Sequence, residues 1–241
     1  MKRVLVLTDN VIIFERFKSI CELKSRSNVS FDFFCSPSSE KMFLKHQDVT
    51  VLDIQKDYQK VIAGYSLVIS CHCKKIFPAD LVKSIRCINI HPGLNPFNRG
   101  WYPQVFAINN GLPHGATIHE MDEKIDHGAI IAQKDIMIEL VDTSASVYER
   151  VLSAEIELFE SHYDSLIDST YISTPMHDEG NYNSIQDFKD ICCIDLEQKG
   201  TFREFYNLLR SLSHNQYKNG YIVAGDGSKV FISINIVNEN D

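Results

Sequence analysis

The apolar positions of the chain change rhythm several times. Val4-Leu5-Val6-Leu7 is an unbroken apolar run that stops at the turn-forming Thr8-Asp9-Asn10. Phe14, Phe17, Ile20, Cys21 and Lys24 then recur at three-or-four spacing, so a strand feeds a helix. Leu67-Val68-Ile69-Ser70 and Cys87-Ile88-Asn89-Ile90 repeat the short apolar run, and Pro78 between them suits the first turn of a helix through Ile85. This alternation over the first hundred residues predicts an α/β fold: an open, mostly parallel, Rossmann-like sheet with helices on both faces. Ligands of such sheets gather at the carboxyl ends of the strands, where Asn10, the 70–75 loop and His91 fall.

A helical stretch begins near Tyr102, and Thr117–Met121 and Ile130–Gln133 read as strands flanking the polar loop Asp122–Gly128. A long helix is predicted from Thr143, since Val147, Val151, Ala154 and Leu158 keep its spacing and Thr143 can cap it. Ser173–Ser184, with Pro175, Gly180 and several Asn and Asp residues, reads as a connector. The chain therefore divides into residues 1–172, a catalytic domain, and 173–241, a small helix and β-hairpin region for packing or dimerisation. In the second part Thr201 and Glu204 form a capping box before Phe202, Phe205, Leu208, Leu209 and Leu212. Tyr221-Ile222-Val223 and Val230-Phe231-Ile232 flank Gly225-Asp226-Gly227, a hairpin whose exposed apolar edge suits pairing with a second copy.

Charge and cysteines narrow the class. Lys and Arg number 24 against 32 Asp and Glu, a formal net charge of -8, which offers no broad cationic surface to a phosphate backbone. No nucleic-acid partner is expected. The apolar start is too short for a signal segment and no stretch approaches membrane-spanning length. Seven cysteines without a regular framework suit reduced thiols in a cytoplasm. Cys71-His72-Cys73 in extended geometry would point to alternate faces and could not share one ion, so no metal is expected. No Gly-x-Gly-x-x-Gly follows the first strand, which argues against a dinucleotide.

The densest chemical signal is Asn89-Ile90-His91-Pro92-Gly93-Leu94-Asn95-Pro96-Phe97-Asn98-Arg99-Gly100-Trp101-Tyr102. Asn89 and His91 share a strand face, and the prolines and glycines that follow force an irregular loop. Taken singly, Asn89 can be a turn cap, His91 a satisfied buried histidine, and Asp126 in Asp126-His127-Gly128 a turn former. Their joint occurrence changes the weight.

Asn89-x-His91-Pro92, the Leu94-x-Pro96 and Arg99-Gly100 continuation, Gly115-x-Thr117-Ile118-His119 and Asp126-x-Gly128 together resemble the folate-dependent formyltransferase family, from Val4 to about Ile138. His72 to Pro78, Asn98 to Phe106 and Leu209 to His214 extend the resemblance to bacterial enzymes that N-formylate amino-dideoxy sugars linked to thymidine diphosphate (dTDP). The acidic tail does not resemble the larger C-terminal domain of methionyl-tRNA formyltransferases. The resemblance implies 10-formyltetrahydrofolate as formyl donor and Asn89, His91 and Asp126 as the catalytic trio.

The chemistry fits that trio. An amine attacking a formyl carbonyl creates an oxyanion that needs donors, here the Asn89 amide and a protonated His91. A carboxylate beside the histidine, Asp126, would tune it and relay protons. The family's folate pocket falls on His72, Cys73, Lys74, Lys75 and Phe77 and on Ile118, Asp122 and Lys124. For the dTDP-linked acceptor, Asn10 matches the phosphate-side position, Trp101 and Tyr102 can stack on a base, and Arg99 can hold a diphosphate. Gly93, Leu94, Asn95, Pro96 and Gly100 line the same loop, and Tyr182 and Asn183 lie near the expected cleft. His-Pro-Gly-Leu-Asn-Pro departs from the commoner His-Pro-Ser-Leu-Leu-Pro and points to a particular acceptor.

The leading expectation is formyl transfer to dTDP-4-amino-4,6-dideoxyglucose for O-antigen or other surface polysaccharide. A 3-amino sugar acceptor, a formyl-folate hydrolase and a non-catalytic folate or nucleotide binding module are the alternatives. A homodimer is expected.

Overall fold

The computed structural model describes residues 1–239. Strands and helices alternate through the first half: β1 (Lys2–Thr8), α1 (Val11–Leu23), β2 (Val29–Cys35), β3 (Val49–Val51), α2 (Ile54–Gly64), β4 (Leu67–Cys71), α3 (Ala79–Ser84) and β5 (Arg86–His91). There follow β6 (Arg99–Gly100), α4 (Pro103–Asn110), β7 (His114–Glu120), β8 (Ile130–Ile136) and the long α5 (Ser144–Asp168). The remainder holds β9 (Tyr182–Asn183), α6 (Ile185–Cys192), α7 (Phe202–Leu212), β10 (Ser213–His214), β11 (Tyr217–Lys218), β12 (Tyr221–Val223) and β13 (Lys229–Phe231). The elements β2, β3, β6, β9, β10, β11, α2 and α6 are additional to those the apolar spacing predicts.

The seven-stranded sheet has the order β3-β2-β1-β4-β5-β7-β8. Its first five strands are parallel, and β7 and β8 run antiparallel at one side. Strand alternation sorts the core into two layers. Val4, Val6, Leu67, Ile69, Ile88 and Ile90 pack with α1 and α5, while Leu5, Leu7, Val68 and Cys87 pack with α2 and α3. Phe17 and Phe159 stack at 4.1 Å between α1 and α5, and burying each ring contributes about 2–3 kcal/mol. The order of the strands reverses between β1 and β4, which opens the crevice where sheets of this kind hold ligands. Asn10 follows β1 and His72 follows β4 at that point.

The caps form as read. Thr143 and Ser146 make a capping box for α5, as do Thr201 and Glu204 for α7. The stretch 173–184 is more than a connector. Thr174 and Ile130 exchange backbone hydrogen bonds of 2.8 Å, and β9 pairs with β6, so this stretch is stitched to the loops above the sheet. Beyond it, Leu208 and Leu212 of α7 and Cys192 of α6 pack on Val105 of α4. The β12–β13 hairpin leaves Val230 53 % and Phe231 43 % exposed. Among the described residues no helix is long and apolar enough to cross a membrane.

Candidate active site

Asn89 and His91 leave β5 on the sheet face that carries Leu5, Leu7, Val68 and Cys87. The antiparallel register sets Asn89 beside His119 and His91 beside Thr117. β7 thereby adds two buried polar side chains to an otherwise apolar face, and the loops after β5 and β7 cover them.

Asp126 closes the group from the β7–β8 loop, with a left-handed φ of 49°. Its Oδ1 accepts from Asn89 Nδ2 at 3.0 Å and its Oδ2 from the Gly100 N–H at 3.1 Å. His91 Nδ1 lies 3.4 Å from Oδ2, and His119 Nε2 3.7 Å from Oδ1. Asn95 and Arg99 clamp the loop, and Arg99 ties it to the 173–184 stretch. Asn95 Nδ2 donates to Asp126 O at 2.9 Å, Arg99 Nη1 donates to Ile125 O at 2.9 Å, and Arg99 Nη2 donates to Glu179 O at 2.8 Å.

His119 is the residue that spacing alone gives no role. Its Nδ1–H donates to Glu120 O at 2.6 Å, which leaves Nε2 to accept from Asn89 Nδ2 at 3.3 Å. Both amide hydrogens of Asn89 are therefore engaged. To donate to an incoming oxygen, Asn89 gives up the longer of the two bonds, the one to His119.

Burial pushes the His91 pKa down to about 4, against the pull of Asp126. Burial alone would raise Asp126, but His91, His119 and the Gly100 N–H outweigh it and bring the carboxyl down to about 2. At neutral pH the pair is an imidazole and a carboxylate, not the protonated His91 expected from the sequence. With Nδ1–H turned to Asp126, His91 Nε2 carries a lone pair, and it is buried without a protein partner. The ring needs the space that Gly93 leaves: a Cβ there would stand 2.5 Å from His91 Nε2.

His114, also buried with both ring nitrogens unpartnered, is pushed down to about 3 by burial. Two histidines held neutral in the fold titrate near 6.5 once unfolded, so the unfolded state takes up protons first as pH falls. Stability is then complete above about pH 6.5 and declines towards pH 3 to 4. Thermal melts should show Tm falling between pH 6.5 and 4.5 in the wild type and falling less in His114→Leu. Equal pH slopes in the two proteins would refute this account.

Several expected contacts take other roles. Ile118 and Phe77 are core residues, 0 % and 6 % exposed. Arg99 is buried and donates from both Nη atoms to backbone carbonyls, so it braces the Asp126 loop. Leu94 is buried, and the Asn95–Pro96 peptide is cis. Tyr182 and Asn183 pair with Arg99 and Gly100, and Asn183 Nδ2 donates to Asn98 Oδ1. Tyr102 lies against Phe188 with ring centroids 4.1 Å apart, while Trp101 is half-buried. Asn10 caps α1 by accepting from Ile13 N, and its Nδ2 donates to Tyr148 Oη at 3.0 Å.

The 72–77 loop is pinned from two sides. His72 has a left-handed φ of 56° and reaches Glu155 on α5, whereas Cys73 turns to Lys75 O. Strand alternation thus ends at Cys71. Lys74 N–H donates to the buried Asp9, whose other oxygen accepts from Ser36. Ile76, 61 % exposed, and Ile125, 38 % exposed, are the apolar groups these loops present to solvent. Asp122 accepts from Lys124 N–H and His127, and Lys124 pairs with Glu179.

A doubly wound sheet with a half-buried amide and carboxylate around a buried imidazole, beside the carboxyl ends of its strands, defines an α/β enzyme built for acyl-group chemistry on a bound nucleophile. The chain belongs to the formyl transferase family: that family's model matches residues 14–162, and the N-formyltransferase dimerization C-terminal domain matches 187–238. It is 40 % identical over 231 residues, 96 % of this chain and 95 % of the relative, to dTDP-4-amino-4,6-dideoxyglucose formyltransferase of Mycobacterium bovis. The crystal structure of a 4-N formyltransferase from Francisella tularensis is 44 % identical, covers 98 % of both chains and superposes with a TM-score of 0.94. An N-formyltransferase from Helicobacter canadensis, solved with folinic acid and dTDP-3-aminofucose, is 20 % identical over 91 % of this chain and 83 % of its own, with a TM-score of 0.73, and shares the fold.

Proposed function

We propose that this protein transfers the formyl group of 10-formyltetrahydrofolate to the amine of a dTDP-linked amino-dideoxy sugar, dTDP-4-amino-4,6-dideoxyglucose. The near full-length likeness to a relative of that name and to a 4-N formyltransferase carries the reading. The unpartnered His91 Nε2 beside Asp126 supports it, because the reaction needs a base and no covalent enzyme intermediate. Asn89 and His91 would meet the formyl oxygen and the attacking nitrogen, and Asp126 would hold both. In this reading the donor lies along the main chain of 73–76 and 121–125, with Ile76 and Ile125 as apolar walls. The acceptor enters at Asn10 and is bounded by Gly93, Gly100, Trp101 and Tyr102. The transfer unit is residues 1–172. Residues 173–241 form the packing unit, whose exposed hairpin residues Val230 and Phe231 pair two copies into a homodimer. All seven cysteines are free thiols, in keeping with a cytoplasmic site for making a surface-polysaccharide precursor.

The test is formyl transfer from 10-formyltetrahydrofolate to a panel of nucleotide-linked 3-amino and 4-amino sugars, following tetrahydrofolate release and product mass. Turnover with dTDP-4-amino-4,6-dideoxyglucose is expected, and Asn10→Ala should raise the acceptor KM about tenfold, the loss of one hydrogen bond to a charged group. Formate release without an amide product would instead mark a hydrolase, and donor binding without turnover a binding module.

A further inference from the structure

The crevice between β1 and β4 holds a second imidazole–carboxylate pair. Glu155, on α5, is fully buried, and its Oε2 lies 2.7 Å from His72 Nε2. Cys71 Sγ donates to the other oxygen at 3.7 Å. His72 Nδ1 has no hydrogen-bond partner among the described residues. The groups facing the ring are Glu155 and Tyr148 from α5 and Cys71 from β4. Across the strands Cys71 pairs with Ile90, which puts His72 next to His91 at the carboxyl ends of β4 and β5, near enough for a charge on His72 to be felt at His91. The Tyr148 ring, 5.9 Å from that of His72, carries the hydroxyl that receives Asn10. His72 therefore stands between the proposed acceptor entrance and the reacting groups, in a backbone conformation that a non-glycine residue adopts only when its surroundings impose it.

The reaction has two protons to place. An amino sugar arrives mainly as an ammonium ion. One proton must leave before its nitrogen has a lone pair; the second leaves after the nitrogen has bonded to the formyl carbon, and ends on the folate nitrogen whose bond to that carbon breaks. His91 and Asp126 can relay the second to the departing nitrogen. The first needs a separate destination.

We propose that His72 is a further catalytic residue, its Nδ1 taking the first proton from the acceptor ammonium and passing it to solvent, with Glu155 as the positioning residue that fixes its tautomer and stabilises the imidazolium. A buried carboxylate behind the ring favours a cation in front of it and opposes a diphosphate, which separates this role from phosphate binding. The inference rests on the proposed acceptor being an amino sugar.

The experiment measures kcat/KM for the acceptor, KM for the donor and the full pH profile from 6 to 10 for the wild type, His72→Gln and Glu155→Gln, each first shown to melt as the wild type does. At pH 7 both variants should lose about 100-fold in acceptor kcat/KM, a size usual for a lost general base. The deficit should close as pH passes the amine pKa and the free amine supplies itself, with donor KM within about twofold throughout. A deficit of the same size at every pH, or one appearing in donor KM, would overturn the proposal, as would unchanged activity. A wild type that formylates no amino sugar would defeat the functional reading itself, before any variant is compared.

Discussion

Replacing His91 by Asn should lower kcat about a thousand-fold while donor affinity changes by less than about threefold. Neutral His91 turns Nδ1–H towards Asp126 and leaves Nε2 buried with an unused lone pair that can accept a proton. Asparagine can offer a hydrogen bond at that position but cannot carry the proton onwards, and losing such a relay costs about 10²- to 10⁴-fold. His91 is buried behind Gly93 and, among the described residues, makes no hydrogen bond to the 73–76 loop, so equilibrium donor binding is expected to survive. Single-turnover transfer and fluorescence titration of the donor read the two quantities separately. Activity near the wild-type level would remove His91 from the mechanism.

Gly128→Ala should cost about 3 kcal/mol of stability and lower Tm by about 8 °C, with at least a tenfold loss of kcat. A Cβ at this position collides with Glu120 O and comes within 2.7 Å of Glu120 C. The obstacle is backbone inside the sheet, where Glu120 N–H bonds Ala129 O at 2.9 Å, so no side chain can swing aside. Relief has to come from the β7–β8 loop, and that loop carries Asp126 two residues earlier. Gly225→Ala provides the control, since a Cβ there has no heavy atom within 4 Å. A Gly128→Ala protein that melts and turns over like the Gly225→Ala protein would show that the loop is more yielding than its packing indicates.

Much of this was legible along the chain because it depends on short-range rules. The period of two puts Asn89 and His91 on one face of β5, and the period of three or four draws α1 and α5. Thr143 caps α5 and the Thr201–Glu204 capping box starts α7. Tertiary structure decided what depends on distant partners. The β5–β7 register brought His119 to Asn89, and packing of α5 across the sheet brought Glu155 to His72, pairings separated by 30 and 83 residues. Arg99 became a strut because carbonyls of the β7–β8 loop and of the connector converge on it, and Ile118 and Phe77 went to the core because their strand and loop positions face inward. The charge state of His91 belongs to the same class. Desolvation is a property of everything packed around a group, so a motif can place an imidazole beside a carboxylate, but only the assembled fold determines that it stands there neutral.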